Sequence, residues 1–116
     1  MADENDSGEL ESAERSTIAT VKTKRAVVKR RSTNTLKKLP GMIEQYGRKS
    51  IIRGYVNILE ESFNEAQVWN NQLLAMLPEQ EHENVLNWYE EELERVQEAK
   101  LEAQANLEER KERGEL

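Results

Sequence analysis

Residues 50–77 read SIIRGYVNILEESFNEAQVWNNQLLAML, and this stretch decides the fold. Ile52, Tyr55, Leu59, Ser62, Ala66, Trp69, Leu73 and Met76 follow one another in alternating steps of three and four. Such steps place one residue per turn on a single stripe of an α-helix, and the heptad regularity suits a long partner helix. Val56, Phe63 and Leu77 widen the stripe to the breadth a bundle helix needs. Ser50 is placed to cap the N-terminus. Pro78 ends the helix, and its fixed φ suits the start of the next.

The same rhythm continues downstream. Leu86, Tyr89, Leu93, Val96, Lys100, Ala103 and Leu107 predict a helix over 79–113, with a weak point at Lys100. Glu79, Glu81 and Glu83 favour its positive N-terminal end. The link around Pro78 is short, so the two helices are expected as an antiparallel hairpin. Upstream, Ile18, Val21, Val28, Thr35 and Leu39 recur at helical spacing over 14–39, although Arg25 and Ser32 fall on the same stripe. Val and Thr lower helix propensity here, and an extended stretch at 17–23 competes. Pro40 is expected to end or kink this helix, because it drives Leu39 from the α region. Gly47 is then the natural left-handed residue to close the following turn.

Composition sets the scale of the core. Of 116 residues, 36% are hydrophobic and 34% charged, against roughly 45–50% and 25% in typical domains. The core must be thin. The net charge of −6 also hides a segregation. Residues 1–14 carry six acids and no base; residues 15–53 carry twelve Lys/Arg and one acid, Glu44; residues 54–116 carry five Lys/Arg and sixteen Glu. Residues 1–13 are too polar to fold alone and are expected as a disordered acidic tail. The expected fold is therefore all-α and coiled-coil-like, an elongated helical hairpin or three-helix bundle. It comprises that tail and a helical domain over 14–113: a basic helix 14–39, a helix 50–77 and an acidic helix 79–113. A thin core with unfinished stripes points to self-association.

The residues offer little for catalysis. There is no Cys and one His, so disulfides, thiolate metal sites and a Cys nucleophile are excluded. His82 stands among Glu79, Glu81 and Glu83 and reads as part of a solvated helix start. Glu90, Glu91, Glu92, Glu94 and Glu98, interleaved with Arg95, read as a solvated face rather than a tuned acid/base pair. No triad, phosphate loop or dinucleotide fingerprint is present. No catalytic residue, metal, cofactor or small-molecule substrate is expected. No apolar run approaches 18 residues, so no membrane span is expected. The acidic start lacks an apolar leader, which suggests an intracellular protein, cytoplasmic rather than nuclear.

Two features remain as carriers of function. Ile52, Tyr55, Leu59, Phe63, Trp69, Leu73 and Met76, with Leu86, Tyr89, Leu93 and Val96, form a candidate interaction seam for self-association or another helical protein. Trp88 lies one step off that seam and is expected to be partly exposed. The stretch KTKRAVVKRR over 22–31 offers Lys22, Lys24, Arg25, Lys29, Arg30 and Arg31 as candidate phosphate contacts. No aromatic residue lies among these charges, which argues against base stacking. The leading reading pairs them internally with the glutamate-rich helices; contact with nucleic acid or an anionic membrane surface comes next, and a nuclear targeting signal is the third.

The order and texture of residues 24–104 carry a resemblance. Lys29-Arg30-Arg31-Ser32-Thr33 with Thr35-Leu36 leads in; Leu59-Glu60-Glu61-Ser62-Phe63, Val68-Trp69 and Leu73 follow; Trp88-Tyr89-Glu90-Glu91 closes the pattern. This organisation resembles the helical domain DUF1759 of Gag-related polyproteins of BEL/Pao-type retrotransposons. The resemblance covers roughly two thirds of the chain and implies a non-enzymatic, Gag-like assembly or interaction segment. The chain departs from a full polyprotein in lacking a Cys/His zinc knuckle, an aspartic protease motif and a polymerase region. A polyprotein fragment and a stand-alone gene product both fit that pattern.

Overall fold

The computed structural model of the chain contains helices α1 (Ala2–Glu44), α2 (Lys49–Met76) and α3 (His82–Glu112), with a single 3-10 turn at Glu79–Glu81. It describes the backbone of residues 2–112 and 114 and the side chains of 17–111 and 114. The acidic stretch 1–13, expected as a disordered tail, lies outside the residues whose side chains are described. The fold is all-α, and no strand occurs among the described residues.

Cross-helix contacts fix the topology. Arg25 of α1 reaches Asn70 of α2, and Arg31 reaches Glu65. One number rises as the other falls, so α1 and α2 are antiparallel. Thr33 meets Arg95 and Gly47 meets Arg110, separations of 62 and 63 residues. That near-constant offset makes α1 and α3 parallel. The result is an up-down-up bundle in a rod of 76 × 22 × 17 Å.

The apolar core falls into two clusters. Val21, Leu73 and Val85 pack together at one end. Leu39, Ile52, Leu59, Val96 and Ala103 pack in the other half, supported by Met42, Ile43, Tyr55, Val56 and Phe63. Small and polar groups are also buried, among them Ser32, Thr35, Ser62 and Ala66. The Thr35 hydroxyl donates to the carbonyl of Arg31 one turn back, which lets a β-branched polar residue sit inside a helical stripe. The hydroxyls of Ser32 and Ser62 have no hydrogen-bond partner.

The stripe expected on α1 is complete. Val21, Val28, Ser32, Thr35 and Leu39 are buried, and Ile18 and Arg25 are half-buried. The competing extended stretch at 17–23 is helical. On α2, Ile52, Leu59, Ser62, Ala66 and Leu73 are buried, while Tyr55, Phe63, Trp69 and Met76 are half-buried.

Four expectations need correction. First, α1 does not end before Pro40 but continues through it to Glu44. Proline lacks the N–H that the Leu36 carbonyl would accept, a loss of about 3 kcal/mol in a helix interior. Burial on both sides outweighs it: Leu39 is 1% exposed, and Met42 and Ile43 pack on the same cluster. Each such side chain contributes roughly 1.5–3 kcal/mol when fully buried.

Second, the left-handed residue after α1 is Tyr46, with φ 52°, and not Gly47. The N–H of Gly47 donates to the carbonyl of Met42 and that of Tyr46 to Ile43, at 2.8 and 3.2 Å. This is the paired closure of a Schellman motif, with Gly47 one place beyond the left-handed position. Third, Ser50 does not cap α2. The cap residue is Arg48, with extended ψ of 134° and no side-chain cap bond.

Fourth, the stripe of α3 is rotated from the expected one. Leu86 is 49% exposed, whereas Val85, Glu92, Asn106 and Arg110 are buried. Leu93, Lys100 and Leu107 are half-buried. The inward set is Val85, Tyr89, Glu92, Val96, Ala99, Ala103, Asn106 and Arg110, which also alternates steps of four and three. Two heptad frames share Tyr89, Val96 and Ala103, and α3 uses the more polar one.

Candidate interaction surface

The basic stretch of α1 divides in two. Asn70 is 2% exposed and lies where the three helices meet. Its Oδ1 accepts from Arg25 Nη1 at 2.7 Å, and its Nδ2 donates to the Val85 carbonyl at 3.0 Å. The amide orientation follows from chemistry, since a guanidinium can only donate and a carbonyl can only accept. Arg25 also lies over the Trp88 ring, 4.5 Å from its centroid. Burial pushes the Arg25 pKa down from its ordinary value, because desolvation disfavours the charged form. Thus Arg25, a misfit on an apolar stripe, is the α1 member of a three-helix polar junction.

Its neighbours are used similarly. Lys24 lies 4.7 Å from the centre of the Trp69 ring, and Lys29 lies 5.7 Å from that of Trp88. Lys29 also approaches Glu92 at 4.0 Å, while Arg95 pairs with the same carboxylate at 2.8 Å. Arg31 pairs with Glu65 at 3.2 Å. Of the six candidate phosphate contacts, Lys24, Arg25, Lys29 and Arg31 therefore serve the bundle. Lys22 and Arg30 stay exposed. Trp faces lie under Lys24, Arg25 and Lys29, a use of Trp69 and Trp88 that the linear spacing does not reveal.

Apart from the exposed Leu86, the seam residues are at least half-buried within the chain. Phe63 packs against Tyr89, with ring centroids 5.3 Å apart and the rings tilted by 40°. Lys100, the weak point of the expected stripe, reaches Glu60 of α2 at 3.1 Å. His82 is not a merely solvated residue: its Nε2 is 2.9 Å from the carbonyl of Leu77. This contact ties the α2–α3 turn together. At the opposite end, Arg110 donates to the Gly47 carbonyl and stacks on Tyr46.

The outer faces are sorted by sign. No acid lies between Glu14 and Glu44, and Lys22, Arg30, Lys37 and Lys38 are exposed along α1. The exposed side of α3 carries Glu90, Glu91, Glu94, Glu98 and Glu102. At the end of the rod that holds the α2–α3 turn lies a groove of about 310 Å³, lined by Lys22 and Arg25 of α1, Leu73 of α2, and Glu81 and Trp88 among others. A wider groove of about 720 Å³ joins the start of α2 to the end of α3, lined by Arg48, Lys49, Arg53, Lys111 and Glu108 among others. No group of three potential metal ligands occurs among the described residues, and no described helix is long and apolar enough to cross a membrane.

No family model, curated protein or solved structure matches this chain.

Proposed function

We propose that the protein is a non-enzymatic interaction and assembly module that works through its charged outer faces. One observation carries this reading. Most of the apolar seam, Leu86 apart, and four of the six central basic residues make contacts inside one chain, while the outer surface carries a basic edge on α1 beside an acidic edge on α3. Charge arranged in this way selects partners and sets their orientation. A Gag-like assembly segment, as the resemblance to the DUF1759 domain implies, is the specific form of the proposal.

Electrostatic binding of nucleic acid is the second reading, and the exposed Lys22, Arg30, Lys37 and Lys38 favour it. Sedimentation equilibrium at low and high salt, with and without a short RNA, separates the two. Association of the protein alone supports the assembly module. A monomer that gains mass only with RNA, and loses it steeply with salt, refutes it in favour of phosphate contact.

A further inference from the structure

The contact between Thr33 and Arg95 marks the sides by which α1 and α3 face each other. Surface neighbours on a helix lie three or four residues apart. Arg30 and Lys37 flank Thr33 at those spacings, and Glu91 and Glu98 flank Arg95; all four are exposed. Because α1 and α3 are parallel, Arg30 stands level with Glu91, and Lys37 stands level with Glu98. Each level match holds to within one or two residues, a rise of about 1.5–3 Å. This side of the rod therefore presents a positive strip and a negative strip, side by side and in step.

We infer that this α1–α3 face binds a second copy of the chain, with the two rods parallel and related by a two-fold axis along their length. The inference rests on the assembly reading and gives it a surface. Symmetry selects the geometry. A two-fold axis along the rods sets the positive strip of each copy over the negative strip of the other, at unchanged height. Arg30 then meets Glu91 of the other copy, and Lys37 meets Glu98, each twice. An antiparallel pair would set like strips together, which is costly. Such a contact is isologous and closes at the dimer.

The available area is sufficient. The part of the rod spanned by α2 is about 42 Å long, and the rod is 22 Å wide. That face is on the order of the ~800 Å² per partner of a standard interface. The same layout disfavours a polyanion, since the glutamate strip would repel phosphates drawn to the basic strip beside it.

The test uses the full chain and two double variants, Arg30→Glu with Lys37→Glu and Glu91→Lys with Glu98→Lys. All four positions lie outside the core, and unchanged helical circular dichroism confirms that both variants fold. Sedimentation should show a dimer for the unaltered chain, weakening with salt. Each variant alone should lose affinity by at least about a hundredfold, since like charges now face each other. An equimolar mixture of the two should recover the dimer, because both strips are then complementary again. A dimer that ignores charge reversal overturns this face while leaving the assembly reading in place. A chain that stays monomeric at every concentration, or gains mass only with RNA, overturns both.

Discussion

Replacing Asn70 by Leu should destabilise the bundle more than any other single polar substitution on α2. Two bonds are lost: one from a cationic donor at 2.7 Å and one to a backbone carbonyl at 3.0 Å. Bonds to charged groups contribute roughly 1.5–3 kcal/mol and neutral ones roughly 0.5–1.5. The half-buried Arg25 recovers some hydration, so the lower end of the first range applies. The expected loss is about 2–3 kcal/mol, a large share of the 5–15 kcal/mol typical of a small domain. In a thermal scan it corresponds to a fall on the order of 10–20 °C. Urea unfolding followed by circular dichroism measures the loss. The decisive arm is the double variant with Arg25→Leu. Removing both partners replaces a polar junction by an apolar one, which is often close to neutral. The double variant should therefore be no less stable than Asn70→Leu alone, even after losing the contact of Arg25 with Trp88. If the single change costs under about 0.5 kcal/mol, or the two effects simply add, the junction is not a coupled unit and the reasoning fails.

Three other substitutions probe the local chemistry. Ser62→Ala removes a buried hydroxyl that lacks a partner and improves helix propensity, so stability should rise by about 1 kcal/mol; a loss in the urea midpoint would contradict this. Pro40→Ala restores an N–H for the Leu36 carbonyl in an otherwise continuous helix. It should add about 1–3 kcal/mol, seen as a higher melting temperature, and no gain would mean that α1 has already relaxed around the proline. His82→Ala removes the bond to Leu77 and should cost about 1 kcal/mol, with faster amide hydrogen exchange confined to the α2–α3 turn; uniform or absent change would refute the local role.

Much of this architecture is legible in the sequence. The stripes of α1 and α2 follow from spacing alone, including the positions where Arg25 and Ser32 interrupt the apolar pattern. The short link at Pro78 dictates the antiparallel hairpin. Two local rules gave way to tertiary packing. Pro40 does not stop α1, because the residues beyond it are anchored in the core. Gly47 does not take the left-handed position, because Tyr46 holds it and stacks on Arg110 from the far end of α3. Contacts across more than sixty residues are invisible to any window on the chain.

The rotated stripe of α3 teaches more about function than the correct ones. Hydrophobic spacing selects Leu86, Leu93 and Leu107, since these are the larger apolar residues. The bundle instead turns inward the frame that offers Glu92 to Lys29 and Arg95 and Arg110 to Gly47. A carboxylate at 4% exposure is tolerated only with cationic partners, and the basic α1 supplies one. The charge segregation of the sequence is therefore a folding instruction first. It places Glu92 of the acidic helix beside Lys29 of the basic one, while the two short links set the direction of each helix. Once those inward charges are consumed, Arg30, Lys37, Glu91 and Glu98 remain on the outside in matching register, because the same heptad spacing that built the interior also repeats outward. The surface charges are thus ordered by the interior, and the face proposed above for self-association follows from that order.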